Sequence, residues 1–372
     1  VKFSLDAGEL ARIVGAVKGC ILPRTTMPIL QHVRVDASAG RVTVRATCID
    51  MEAEASASAD VQAEGSIALP GDILHGLTRR LPKQVSATIE LGGSIATLTA
   101  GRSVYRLSTL PVDTFPVAEV GEGLTFDVPA ADLKSILEAT VPATANSATH
   151  WYHRGVYLHT VERGELLIAA VATDDHRLAY REMAAPAGLE DAFAVTIPAA
   201  AVNEMIAILG NVDGDATLTI GDARVVLRGA DAELSTGILE GKYPAYRRVM
   251  PEPNGALMTV RRDGLSEAVE RAIIVCTGAN QKTPAVGLVP GLSGLSVIAG
   301  TKGHEEANEI VDADVHERGD ELGMNAAYLT QMLKLWPDVP IEVQSAGPGH
   351  PTLLWSKELP AYRQIIMPML RK

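Results

Sequence analysis

An apolar helical stripe recurs three times at nearly constant spacing, as Leu74/Leu77/Thr78/Leu81, Val202/Met205/Ile206/Leu209 and Leu329/Met332/Leu333/Trp336. From 74 to 202 is 128 residues and from 202 to 329 is 127, so a chain of 372 residues reads most simply as three copies of one domain. A second series agrees: Leu10/Ile13/Val14/Val17, Leu133/Ile136/Leu137/Thr140 and Leu265/Ala268/Val269/Ala272. Each stripe occupies i, i+3, i+4 and i+7, the buried face of a short amphipathic helix. Leu69-Pro70-Gly71-Asp72 and Ile197-Pro198-Ala199-Ala200 place a proline where a first helical turn is expected, and Asn325 is a candidate N-cap for the third copy.

Between the helices the chain alternates in the period of two that marks half-buried strands, at Arg41–Ala46, Ala87–Leu91, Ala216–Ile220 and Val339–Val343. Turn-formers at Gly92-Gly93, Gly221-Asp222 and Pro348-Gly349 predict a β-hairpin after the second helix of every copy. Each copy is therefore an α+β unit of two helices and antiparallel strands, not a parallel βαβ unit. Clusters of turn-formers at Gly121-Glu122-Gly123 and Pro251-Glu252-Pro253-Asn254-Gly255 set the expected domains at 1–122, 123–252 and 253–372.

A hydrophobic fraction of 47% gives each copy material for a core, and no apolar run reaches the ~20 residues that cross a membrane. The opening Val1-Lys2-Phe3-Ser4-Leu5 lacks the layout of a secretory signal. Cys20, Cys48 and Cys276 are odd in number and form no CxxC, as expected of free thiols in a reducing cytosol. A soluble cytoplasmic protein without a cofactor is the expectation.

The chain contains no GxxxxGK[ST], GxSxG or HExxH motif and no strand-linked GxGxxG. If it serves an energy-requiring process, another subunit must supply the ATP chemistry. The most enzyme-like constellation is His150-Trp151-Tyr152-His153 with His159 and Asp174-Asp175-His176 as metal ligands. Its spacing argues against a site, because His150 and His153 sit beside the probable strand residues Val156-Tyr157-Leu158, where i and i+3 face opposite sides, so the pair would converge only on a helix or turn. Asp174-Asp175 reads as a solvated turn. Lys and Arg number 33 against 45 Asp and Glu, a net of −12, which disfavours nucleic acid unless cations gather on one lining. Candidates on or beside the helices are Arg12, Lys18, Arg24, Arg79, Arg80, Lys83, Lys134, Arg261, Arg262, Arg271 and Lys334.

Several segments resemble signatures of the bacterial DNA polymerase III beta subunit, the sliding clamp. They are Pro23–Leu30, Gly101-Arg102-Ser103 with Leu107–Pro111, Ala172–Ala179, Tyr243–Pro251 and the tail Ile365-Ile366-Met367-Pro368-Met369, in order along the whole chain. The resemblance implies three repeated clamp domains per chain and a head-to-tail homodimer closed into a six-domain ring. Helices would line the hole and sheets would form the outer wall. The implied function is non-catalytic: the ring encircles duplex DNA without reading sequence and tethers the replicative polymerase, giving processivity through effective concentration. Basic helices inside and an acidic exterior would reconcile DNA with the net charge.

The resemblance also implies site residues. A groove between the second and third domains, accepting short linear peptides from polymerases, the clamp loader and repair proteins, would comprise His153, Thr173, Asp175, His176, Arg177, Leu178, Pro244, Arg248, Val249, Asn325, Tyr328, Thr352, Ile365, Met367, Pro368 and Met369. DNA contact is expected from Arg24, Arg79 and Arg80 and from His150, Trp151 and Tyr152; the dimer seam is expected to set Tyr105 against the partner's Ile274 and Val275. The chain departs from the family pattern at His153, where a pocket leucine is usual, at His150 for an arginine, at Asp175 for a glycine, and in its end, Leu370-Arg371-Lys372. These changes point to a divergent or duplicated clamp with altered partner preference. A metal-dependent enzyme using His150 and His153, or a repeat-built scaffold without DNA, are the other readings.

Overall fold

The computed structural model describes residues 1–82, 84–117, 122–145, 150–278, 284–300 and 305–370, with the side chains of 276–278 excepted. Lys83, Gly121, Arg371, Lys372 and the Cys276 thiol therefore lie outside the described residues.

The six predicted helices form as α1 (Ala7–Ala16), α2 (Gly71–Thr78), α3 (Ala130–Thr140), α4 (Ala199–Leu209), α5 (Arg262–Gly278) and α6 (Ala326–Leu333). Their stripes are buried because each apolar side chain removed from water contributes about 1.5–3 kcal/mol. Leu10, Ile13, Val14, Leu133, Leu137, Leu265, Val269, Leu74, Val202 and Leu329 are enclosed, while Leu77 and Ile206 remain half-buried. The third copy's stripe ends on Trp336, whose indole N–H donates to Gln364 Oε1 at 2.7 Å and whose ring packs 4.3 Å from that of Tyr362. Asn325 caps α6 as expected, accepting from the backbone N–H groups of Ala327 and Tyr328. Pro70 and Pro198 stand one step earlier than expected: each closes a strand and serves as the N-cap residue, with no side-chain cap bond. An extended ψ lets one residue end a strand and open a helix.

The described chain groups into two compact units, residues 1–134 with 186–238, and residues 135–185 with 239–372. In the first, a five-stranded antiparallel sheet runs Asp60–Ala63, Lys2–Asp6, Ser86–Gly92, Ile95–Ala100, Ser103–Ser108. A second sheet of eight strands joins two copies along one seam, where Met51–Ser58 of the first pairs with Ala232–Gly237 of the second in the register Ala55↔Ala232 and Met51↔Thr236.

The second unit repeats the device. Gly155–Glu162, Leu166–Thr173 and Arg177–Ala184 continue into Tyr362–Ile366, Thr352–Trp355, Pro340–Gln344, Met258–Arg261 and Ala313–Val315, with the seam at Arg177↔Ile366 and Arg181↔Tyr362. A four-stranded sheet orders Glu306–Val311, Gly294–Gly300, Ala285–Gly291, Leu322–Asn325. The three predicted hairpins pair as Gly92↔Ile95, Ile220↔Val225 and Val343↔Leu354. Seam pairing satisfies backbone groups that would otherwise leave an open edge.

Candidate functional site

In the second unit the seam strand Arg177–Ala184 starts immediately after a tight turn, and the chain's tail crosses that turn. Met367 N–H donates to His176 O at 2.8 Å, and Met369 N–H to Gly323 O at 2.8 Å. These two bonds lay Met367-Pro368-Met369 over the surface between the turn and α6. Beside it lies a cavity of about 370 Å³ lined in part by Gly323, Pro348, Gly349, Pro368 and Met369.

The turn is built around Asp174. Its Oδ1 accepts from the backbone N–H groups of His176 and Arg177, and its Oδ2 from Arg177 Nε at 3.0 Å. This carboxylate is buried, so Asp174 is an internal staple and not the solvated residue expected from sequence. A carboxylate accepting three donors, one of them a guanidinium N–H, is stable away from water because both of its oxygens find partners. Asp175 does point outward, and its φ of 70° is one that side chains rarely adopt. Arg177 completes the framework: its guanidinium donates to Gln331 Oε1 at 2.6 Å and lies 4.5 Å over the Tyr328 ring. The His176 ring is roughly parallel to that of Tyr328, with centroids 6.0 Å apart.

The expected groove residues separate into two groups. His176, Arg248, Val249 and Met367 are exposed, and Thr173, Pro244, Asn325, Tyr328, Pro368 and Met369 are half-buried. Leu178, Ile365 and Thr352 are enclosed, the first two within a cluster that includes Tyr180, Tyr243, Tyr246 and Met250, so they support the surface and do not form it. Sequence reasoning missed Gln331 and the role of Asp174. Gln331 lies three residues after Tyr328 on α6, a helical spacing that could have flagged it.

Residues Trp151–Arg154 form a 3₁₀ turn and not the end of a strand, which meets the condition under which His150 and His153 converge. Their rings meet at 5.5 Å edge to face, because three residues per turn bring i and i+3 into line. Even so, no group of three or more His, Cys, Asp or Glu able to hold a metal occurs among the described residues. His153 is buried, with Nε2 3.0 Å from Asp175 Oδ1 but off the line of a hydrogen bond. His159 is elsewhere committed: Nε2 lies 3.0 Å from Tyr246 Oη and its ring stacks 4.3 Å from Tyr157. Burial, then the nearby Arg247 charge, lowers the His159 pKa to about 4. Trp151 and Tyr152 are half-buried in their own unit, with Trp151 against Gly241 and Tyr152 edge-on to Tyr243.

In the first unit Arg24, Arg79 and Arg80 are exposed, and none of the three forms an ion pair among the described residues; Arg80 Nη1 donates to Gly76 O at 3.0 Å. Arg79 and Lys18 place positive charge around His75, whose pKa is lowered by burial first and by these two cations next. Among the described residues six of the other candidate cations are ion-paired. Arg12 pairs with Glu9 and Asp231, Lys18 with Asp72, Arg261 with Asp338, Arg262 with Asp263, Arg271 with Glu267 and Glu309, and Lys334 with Glu270. Tyr105 is half-buried on Ser103–Ser108, the outer strand of its sheet, and Ile274 is 69% exposed on α5.

Six α-helices among the described residues of three α+β copies, antiparallel sheets shared between copies, and a tail laid over a seam turn define a clamp-type repeat protein. The DNA polymerase III beta subunit models match in order, the N-terminal domain over residues 1–119, the central domain over 127–245 and the C-terminal domain over 247–370. The chain belongs to this family. It is 30% identical to the beta sliding clamp of Caulobacter vibrioides across 99% of this chain and 100% of that one. The Escherichia coli K12 beta sliding clamp is 29% identical over 90% of each chain. Among solved structures, a Bartonella birtlesii sliding clamp bound to griselimycin superposes with a TM-score of 0.92 at 26% identity, covering 100% of both chains. A C. crescentus beta sliding clamp with polyethylene glycol at its beta-motif tethering region gives 0.91 at 28%, covering 100% of this chain and 99% of that one.

Proposed function

We propose that the chain is a DNA sliding clamp for replication: a non-catalytic subunit that encircles duplex DNA and tethers the replicative polymerase. The carrying observation is that all three domains of the family match in order across the chain. Two copies, each with domains 1–122, 123–252 and 253–372, close head to tail in the cytoplasm. No helix among the described residues is long and apolar enough to cross a membrane.

Arg24, Arg79 and Arg80, exposed and without an ion pair among the described residues, are the first cations available to phosphates, with His150, Trp151 and Tyr152 as further contacts. Retention by a ring needs only loose contact, so three exposed arginines on a chain of net charge −12 are compatible with sliding. The outer strand Ser103–Ser108 and the exposed Ile274 with Val275 support the seam, since edge strands and exposed apolar side chains are what an isologous or head-to-tail contact covers. The surface formed by the turn at 173–178, Pro244, Arg248, Val249, Asn325, Tyr328 and Met367–Met369 receives linear peptides from the polymerase, loader and repair proteins. Flexible methionines suit several partners.

The test is retention on nicked circular DNA after ATP-driven loading. A clamp stays through gel filtration and leaves when the circle is cut; loss from the intact circle, or retention on the linear product, refutes encirclement.

The juxtaposition of His153 and Asp175 favours a second reading, a divergent or duplicated clamp with altered partner preference. Titration of the same polymerase peptides against this protein and an ordinary clamp decides it, comparable affinities ruling it out.

A further inference from the structure

One backbone turn occurs at both sheet seams within the chain, and the second adds a polar clamp to it. At the first seam Cys48 N–H donates to Met51 O at 2.9 Å, Ile49 N–H to Thr47 Oγ1 at 3.1 Å, and Gly237 N–H crosses to Asp50 O at 2.8 Å. At the second, Asp174 N–H donates to Arg177 O at 3.3 Å, Asp175 N–H to Thr173 Oγ1 at 3.2 Å, and Met367 N–H crosses to His176 O at 2.8 Å. Ile49 and Asp175 share the left-handed backbone, with φ of 78° and 70°. The side chains differ. Buried Met51 stands where the second turn has Arg177, and the repeat that carries Val202 to Leu329 carries Ala201 to Tyr328 and Glu204 to Gln331. The first turn therefore forms with methionine, alanine and glutamate at these three positions, so Gln331 and Tyr328 are not what the backbone of the turn needs.

At the second seam the three residues fix a side chain on the groove surface. Arg177 Nε is held by Asp174 Oδ2 at 3.0 Å, and a planar guanidinium held at one nitrogen can still swing about that contact. The bond from Nη1 to Gln331 Oε1, at 2.6 Å, is a second anchor on another nitrogen and fixes the plane. Thus fixed, the group lies 4.5 Å over the ring of Tyr328, a half-buried side chain that also stacks on His176. With the Arg177 side chain only 7% exposed, an Nη1–H that loses Gln331 has little water to turn to, and the guanidinium must shift to find an acceptor. Tyr328 then loses the cation on its face.

We infer that Gln331 is a positioning residue of the peptide groove: through Arg177 it holds the Tyr328 ring in the orientation against which an apolar side chain of a partner's linear peptide packs. The inference rests on the reading of this surface as a peptide groove. Gln331 acts without touching the peptide, because a ring held in one orientation before binding spares the complex the cost of ordering it.

Two measurements on the intact protein test this. With fluorotyrosine incorporated, the fluorine resonance of Tyr328, assigned by its loss in Tyr328→Phe, should move in Gln331→Met, which keeps the length and removes the acceptor. It should return in Gln331→Glu, which keeps an acceptor. Fluorescence anisotropy with a fluorescein-labelled peptide from the replicative polymerase should show binding about fivefold weaker for Gln331→Met and restored to within about twofold for Gln331→Glu; circular dichroism verifies that each variant is folded. An unmoved Tyr328 resonance in Gln331→Met overturns the inference, as does an unchanged affinity, and either leaves the groove standing. A loss in Gln331→Met that Gln331→Glu fails to restore assigns the effect to packing at residue 331 and equally overturns the inference. Failure of the unaltered protein to bind the peptide removes the groove reading itself, and this inference with it, whatever the Tyr328 resonance does.

Discussion

The Arg177 guanidinium meets the Asp174 carboxylate at 3.0 Å with the two side chains only 7% and 8% exposed. Removing one member of a buried pair leaves an uncompensated charge, which costs about 3–5 kcal/mol. Asp174→Ala is expected to lower urea stability by that order and to release the turn that carries His176. Asp174→Asn retains an acceptor for the backbone N–H groups and should lose less. A loss below about 1 kcal/mol for Asp174→Ala would mean that the pair is hydrated in solution.

His159 sets an acid limb. Its folded pKa, about 4, is depressed below the ordinary 6.5, so the unfolded chain binds the extra proton between these values. Stability from this group is therefore complete above pH 6.5 and falls as pH drops toward 4. At pH 5 the linkage amounts to roughly 2 kcal/mol relative to pH 8. Urea midpoints measured at both pH values should show this drop, and His159→Gln, which cannot titrate, should flatten it. An equal drop in the variant would assign the acid limb to other groups.

Gly241 has a φ of 119°, and a Cβ placed there would stand 2.5 Å from Trp151 Cζ2. Gly241→Ala must both strain the backbone and displace the indole, at a cost of about 2–4 kcal/mol. The thermal midpoint should fall, and the Trp151 contribution to the near-ultraviolet circular dichroism should change. An unchanged spectrum would show that the indole is not held against this glycine.

In the proposed head-to-tail ring, Ile274, 69% exposed on α5, and Val275 beside it lie at the seam between copies. Ile274→Asp with Val275→Asp should yield monomers by light scattering while leaving the helical signal intact, because neither side chain belongs to the enclosed core. An intact dimer would refute the assignment.

The helices were legible because their information is local. Leu10, Ile13 and Val14, or Leu329, Met332 and Leu333, lie within two turns of one another, and the period alone says which face is buried. Asn325 was legible for the same reason, since a cap bonds residues two and three positions on. The family motifs were legible as short strings. Asp174 was misread because two adjacent carboxylates look solvated until the strand that follows brings Arg177 back onto the first of them. The His150–His153 approach was left open because nothing local separates a strand end from a 3₁₀ turn in His150–Arg154.

The amino-acid sequence by itself determined the threefold repeat, the α+β character of each copy and the family, all of which follow from periodicity and contiguous motifs. Only the tertiary structure decided which copies share sheets, with Met51–Ser58 on Ala232–Gly237 and Arg177–Ala184 on Tyr362–Ile366. Only it decided which candidate cations are ion-paired, and that His153 and Asp175, two separate departures from the family pattern, stand in contact. Strand edges and charges interact with whatever the fold brings within a few ångströms, and that neighbourhood is set by pairing across hundreds of residues of chain, beyond the reach of any local pattern.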